Sequence, residues 1–137
     1  MKKVLLLIAF VLMTFMSSAQ SILKESYKLI PSKGGNMIGF VYNGKIGFIS
    51  NSSDCYILIE PKFDDMYNEN FYQSNNMILA SLNGKWGAID SSGETPYSKQ
   101  PIIPCKYDKM TPFRNGKSQV EKNGRTYIIN TKGETIQ

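Results

Sequence analysis

The chain contains no histidine. That excludes Ser-His-Asp and Cys-His nucleophilic catalysis and most zinc sites, all of which rely on an imidazole. No run of one charge sign is present. Lys and Arg number 16 against 11 Asp and Glu, for a formal charge of +5, and they are interspersed. Nucleic-acid binding therefore lacks the basic stripe it needs. None of the glycines forms a phosphate-cradling motif. Beyond Met16 no apolar run approaches the ~20 residues of a membrane span, and helical periodicity is absent. Only two cysteines occur, Cys55 and Cys105. An exported setting would permit a bridge between them, but spacing alone leaves the geometry open. Unbridged, both are small apolar residues.

What is present begins with a leader. Lys2 and Lys3 form a positive start, Val4 to Met16 a short apolar stretch, and Ser17-Ser18-Ala19 a small-residue cleavage site. This pattern predicts a helical signal peptide over 1–19, with the mature chain starting at Gln20 and exported to the periplasm or medium. Loss of Lys2 and Lys3 lowers the formal charge from +5 to +3.

The rest is organised by a repeat. Asn43-Gly44-Lys45, Asn83-Gly84-Lys85 and Asn123-Gly124-Arg125 recur at a constant step of 40 residues, the mark of a repeat architecture. Asn-Gly between apolar runs predicts a type I′ hairpin turn, which requires positive φ at both central residues. The turn then dictates register. Leu82 faces Lys85, Ser81 faces Trp86, Ala80 faces Gly87, Leu79 faces Ala88, and Ile78 faces Ile89. Alternation places Ile78, Ala80, Gly87 and Ile89 on one expected core face. The same count gives Ile38, Phe40, Gly47 and Ile49 in the first copy, and Ser118, Val120, Tyr127 and Ile129 in the third. Phe40 opposite Gly47 becomes Val120 opposite Tyr127, an exchange of bulk that a close-packed interior would demand. The first two hairpins are apolar on both faces. The third carries Gln119, Glu121 and Thr126 on its second face, which suits a terminal unit facing water.

In order, residues 20–36 form a lead-in strand or a loose arm. Residues 37–137 form the repeat domain, with units at 37–76, 77–116 and 117–137, the last cut short. Short strands ending in Asp64 and Asp108 follow the first two hairpins. Those aspartates lie 44 residues apart, so about four residues are inserted within Glu94–Gln100. The pattern predicts an all-β chain of eight or nine strands, built of tandem hairpins plus short strands in a solenoid-like stack or partial propeller.

Asn83-Gly84-Lys85-Trp86-Gly87-Ala88-Ile89-Asp90, with Gly93, Ile103-Pro104, Tyr107-Asp108 and Phe113-Arg114-Asn115-Gly116, resembles the WG-repeat (KWG) family. The first copy has Ile46 for the Trp and Ser50 for the Asp; the third has Thr126-Tyr127 for Trp-Gly. The resemblance covers nearly all of residues 37–137. It implies an all-β repeat array on exported or surface proteins, often bacterial, and no common activity.

For chemistry, paired carboxylates are the remaining option, with Asp64-Asp65, Asp90 and Asp108 as candidates. Asp64 and Asp108 recur at one repeat position, which favours turn capping. Asp90, just past a strand, is placed to bond the following loop. No calcium-loop pattern occurs, and no cofactor is expected. The aromatics Tyr67, Phe71, Tyr72 and Tyr97 are the candidate binding surface, because loops on a rigid scaffold carry function. Trp86 is read as packing, and Gly44, Gly47, Gly84, Gly87 and Gly124 as structural. The expectation is an exported, non-catalytic module that binds a protein, peptide or glycan. The alternatives are a structural partner that adds edge strands to an assembly, and a carboxylate-dependent hydrolase.

Overall fold

A computed structural model describes residues 27–30, 36–54, 56–67 and 76–137. The leader and Cys55, Phe71 and Tyr72 lie outside the described residues.

The three Asn-Gly pairs adopt left-handed backbone. φ is 49°, 54° and 52° at Asn43, Asn83 and Asn123, and 74°, 76° and 75° at the glycines that follow. Both central residues are positive, as a type I′ turn requires, and its twist matches that of the flanking strands. Each turn joins two six-residue strands. These are β2 (Met37–Tyr42) with β3 (Lys45–Ser50), β6 (Met77–Leu82) with β7 (Lys85–Asp90), and β10 (Lys117–Lys122) with β11 (Arg125–Asn130). The pairing is the one the turn dictates: Leu82 with Lys85, Ser81 with Trp86, Ala80 with Gly87, Leu79 with Ala88, and Ile78 with Ile89. Phe40 pairs with Gly47 and Val120 with Tyr127.

The remaining strands flank these hairpins. β1 (Tyr27–Ile30), β5 (Asp65–Met66) and β9 (Lys109–Met110) each pair with the first strand of the next hairpin. β4 (Ile57–Phe63) and β8 (Ile103–Tyr107) each pair with the second strand of the preceding one. The result is three antiparallel sheets, β1-β2-β3-β4, β5-β6-β7-β8 and β11-β10-β9. They do not close into a barrel, and no α-helix occurs among the described residues. The eleven strands among the described residues exceed the eight or nine expected. The two-residue strands β5 and β9 are too short to show alternation, so they read as linker.

Two hydrophobic clusters join the sheets. Ile78, Ala80 and Ile89 of the second sheet meet Met37, Ile46, Phe48, Leu58, Ile59 and Phe63 of the first. The opposite face of the second sheet, Met77, Leu79 and Ala88, meets Phe113, Val120 and Ile129. The second hairpin is therefore covered on both sides, which explains its apolar composition on both faces. Within the first cluster the Phe48 and Phe63 rings meet edge to face, with centroids 6.3 Å apart, an arrangement that adds to simple burial. The third hairpin buries Ser118 and Val120 while Gln119 and Thr126, on its other face, are exposed, so one side of it faces water.

Two expectations need correction. In the first hairpin, the face that packs on the second unit is Ile46 and Phe48. Phe40 and Ile49 are buried, as expected, but in a separate small cluster with Ile57. Second, the glycines after Trp86 and Ile46 are small chiefly because another backbone crosses them. A Cβ on Gly87 would lie 2.3 Å from the Ile103 carbonyl oxygen, and one on Gly47 would lie 2.6 Å from that of Ile59. Irregular pairing between β7 and β8, and between β3 and β4, accompanies the crossing. Phe40 does lie over Gly47, with Cε1 2.9 Å from such a Cβ. At Tyr127 the constraint differs, because residues 134–137 bond β11 at Ile128 and Asn130.

Candidate functional site

Two of the candidate carboxylates, Asp64 and Asp108, join neighbouring units. Asp64 accepts from the Lys45 ammonium of its own unit through Oδ1, and from the Asn83 N–H of the next turn through Oδ2 at 2.7 Å. Asp108 repeats this with Lys85 and with the Asn123 N–H, the latter at 2.9 Å. Each aspartate thus ties the lysine of one Asn-Gly-Lys turn to the backbone of the following turn. The lysine, then the N–H, hold each carboxyl below the usual carboxylate range. Asp65 turns back on its own strand, accepting the Met66 N–H at 2.8 Å. Burial pushes the Asp90 carboxyl up, yet hydrogen bonds from Ser92 and Thr95 outweigh it and hold the group low. Asp90 accepts the Ser92 N–H at 2.9 Å, as Asn130 accepts the Lys132 N–H at 3.0 Å. Among the described residues no three His, Cys, Asp or Glu side chains gather as a metal site.

A concave feature among the described residues lies where the inserted loop of the second unit meets the first. After β3 the chain doubles back on itself. The Ser50 N–H donates to the Tyr56 carbonyl at 2.9 Å, and the Tyr56 N–H donates to Ser50 Oγ at 3.1 Å. Asn51 N–H donates to the Asn36 carbonyl at 2.8 Å. These bonds set Asn36, Ser50, Asn51, Ser52 and Tyr56 beside one another.

In the second unit the corresponding loop is longer and folds as a 3-10 turn over Tyr97–Lys99. It is anchored by Gln100, whose side chain imitates a strand neighbour. Its Oε1 accepts from the Asp90 and Ile102 N–H groups, and its Nε2 donates to the Asp90 carbonyl, all within 3.1 Å. Lys62 of β4 donates to the Gln100 carbonyl at 2.8 Å, which ties the insertion to the first unit. Tyr97 thereby packs against the cluster between the first two sheets.

The groove so formed holds about 260 Å³ and is lined by the five residues just named with Leu58 and Tyr97. Tyr56 is 49% exposed. Burial, then the neighbouring Tyr56 and Asp90, push the Tyr97 phenol up. The lining side chains are amides, hydroxyls, two phenols and one leucine; none carries a formal charge.

Of the two expected binding aromatics among the described residues, Tyr67 and Tyr97, Tyr97 lines this groove and Tyr67 does not. Tyr67 is exposed beyond β5, where its N–H donates to the Leu79 carbonyl at 3.0 Å. Trp86 is partly buried, pairs with Tyr107 and packs against the cluster between the second and third sheets. Cys105 is a free thiol that donates to the Ala80 carbonyl at 3.5 Å; the bridge that the sequence left open would also involve Cys55, which is outside the described residues. Sequence reading missed Tyr56, Asn36 and Asn51. A signal existed: with the four-residue offset, Tyr56 stands where the inserted copy has Gln100. An aromatic at that position, facing the one long loop, marks the contact.

No curated protein and no solved structure matches the chain. The family model of the WG containing repeat matches residues 57–86 and 98–125. Each matched stretch starts at or just before a crossing strand, β4 or β8, and runs into the next hairpin. Each therefore contains an aspartate together with the turn N–H that it accepts, Asp64 with Asn83 and Asp108 with Asn123. Both inter-unit ties, the second and third Asn-Gly turns and both crossing strands thus lie within the matched stretches, and the chain is a WG repeat-containing protein.

Proposed function

We propose that the protein is an exported, non-catalytic binding module whose ligand sits in the groove between the first unit and the insertion of the second. The observation that carries this reading is that Tyr56 and Tyr97, from different units, both line one concave, hydroxyl- and amide-lined surface. An insertion tied down by Gln100 and Lys62 presents one aromatic to another, and rigid presentation limits the ordering cost of binding. The leader pattern of residues 1–19 supports export.

Against a hydrolase stands the engagement of the carboxylates. Both oxygens of Asp64 and of Asp108 are occupied by lysine and backbone partners. Against edge-strand addition at β11 stands the chain's own use of that edge. Ile128 bonds Gln137 and Ile136, and Asn130 bonds Glu134.

The test is a mixed array of oligosaccharides and peptides probed with the labelled protein recovered after export. Retention on one class, lost on Tyr56→Ala, is the expected result. Retention on nothing, or retention indifferent to Tyr56→Ala, would refute the module reading.

A further inference from the structure

We propose that the groove takes one ring of a neutral oligosaccharide. This rests on the binding-module reading and names the ligand class for the same site.

The lining argues for the class. A sugar ring offers a C–H face and a rim of hydroxyls that both donate and accept. Two phenol rings supply apolar surface for the first, with a polar tip each. Asn36, Asn51 and Ser52 supply amides and a hydroxyl that can likewise donate and accept, while the buried Ser50 hydroxyl, engaged by the Tyr56 N–H and the Ser52 hydroxyl, holds them in place. Among the described residues no lining side chain is charged, which favours an uncharged ligand, since a charge desolvated there would go unpaired.

The backbone argues against a peptide. Recognition of an extended peptide by strand addition needs an open row of N–H and C=O groups. Here the Ser50 N–H and Tyr56 carbonyl bond each other, the Tyr56 N–H bonds Ser50 Oγ, and the Asn51 N–H bonds the Asn36 carbonyl. What remains on offer is side-chain chemistry. Size sets the extent. At about 260 Å³ the groove falls just below the roughly 300–1,000 Å³ of small-molecule clefts, so it accommodates one ring while the rest of a chain lies outside.

The experiment is an NMR titration of the isotope-labelled exported protein. The probes are maltose, cellobiose and diacetylchitobiose, with glucuronic acid as the charged control and blocked trialanine as the peptide control. At least one neutral sugar is expected to shift the amides of Asn36, Ser50, Asn51, Ser52 and Tyr56, while the two controls leave them unmoved. Tyr56→Ala should weaken that binding at least about tenfold, Tyr56→Phe should retain part of it, and Tyr67→Ala should leave it unchanged. Shifts from trialanine alone would overturn the sugar assignment and keep the groove as a binding site. Shifts from glucuronic acid alone would overturn neutrality. Silence from every sugar, or shifts confined to other residues, would overturn the proposal.

Discussion

Gly87 lies so close under β8 that a Cβ on it would stand 2.3 Å from the Ile103 carbonyl oxygen and 2.8 Å from the Cys105 nitrogen. Those neighbours are backbone and cannot swing aside. Gly87→Ala should therefore cost about 3 kcal/mol through forced separation of β7 and β8. Gly84→Ala meets nothing within 4 Å but sits at φ +76°, so it should cost only about 1–2 kcal/mol. Urea denaturation of the two variants checks this; equal losses would contradict the crossing as the cause.

The Asp64 and Asp108 carboxyls are held below their ordinary value by Lys45 and Lys85 and by turn N–H groups. A group whose folded pKa is depressed stabilises the fold above its unfolded pKa, about 4 for Asp. That contribution is lost as pH falls through the lower folded value. The melting temperature should accordingly drop between about pH 5 and about pH 2. The drop should be smaller in the Asp64→Ala, Asp108→Ala double variant, which has already lost both ties. Because these pairs are exposed, added salt should also reduce the difference. Circular-dichroism melts across that range provide the measurement.

Gln100 is buried and makes three side-chain bonds to strand backbone. Gln100→Leu removes them all and leaves the Asp90 N–H and carbonyl unpaired in the interior. A loss of about 3 kcal/mol is expected. Hydrogen exchange at the Asp90 amide should rise by more than the global loss of stability explains, because the insertion is released locally.

Trp86 is only partly buried against the second cluster. Trp86→Ala should cost about 2 kcal/mol, less than a fully enclosed indole would. Ligand retention at the Tyr56–Tyr97 groove should survive the change, which a binding assay on the folded fraction would reveal.

Burial pushes the Cys105 thiol up, with Asp64 adding to the effect and Lys62 opposing it. The thiolate is the reactive species. Iodoacetamide should therefore label Cys105 much more slowly in the native protein than in urea, as mass spectrometry of the modified peptide would record.

The parts of this fold legible in the sequence are those set by local chemistry. Asn-Gly fixes a turn, the turn fixes register, and alternation then assigns faces; every predicted partner of the second hairpin follows from Asn83 and Gly84. The reason for Gly87 was not legible, because the backbone that crosses it arrives from Ile103, sixteen residues later. The destination of Asp64 was legible only in part. Its recurrence at Asp108 suggested a turn cap, but the capped turn, at Asn83, belongs to the next unit. The groove was the least legible. Tyr97 stood out because its loop is longer than its counterpart, whereas Tyr56 lies in a loop of ordinary length. It gains meaning only when the stacking of two units brings the two phenols together.

The passage from Phe63 through Asp65 leaves one sheet and enters the next within three residues, so the covalent repeat and the sheet are out of phase. Anyone splicing units in or out of such a protein by cutting at the Asn-Gly step would sever the hairpin turns and split each sheet between its two paired hairpin strands. Cuts placed at Asp64 and Asp108 would instead deliver blocks whose four-stranded layer arrives whole, with the lysine on one block and its acidic acceptor restored at the seam. The joint between neighbours in this array is thus also its natural point of recombination.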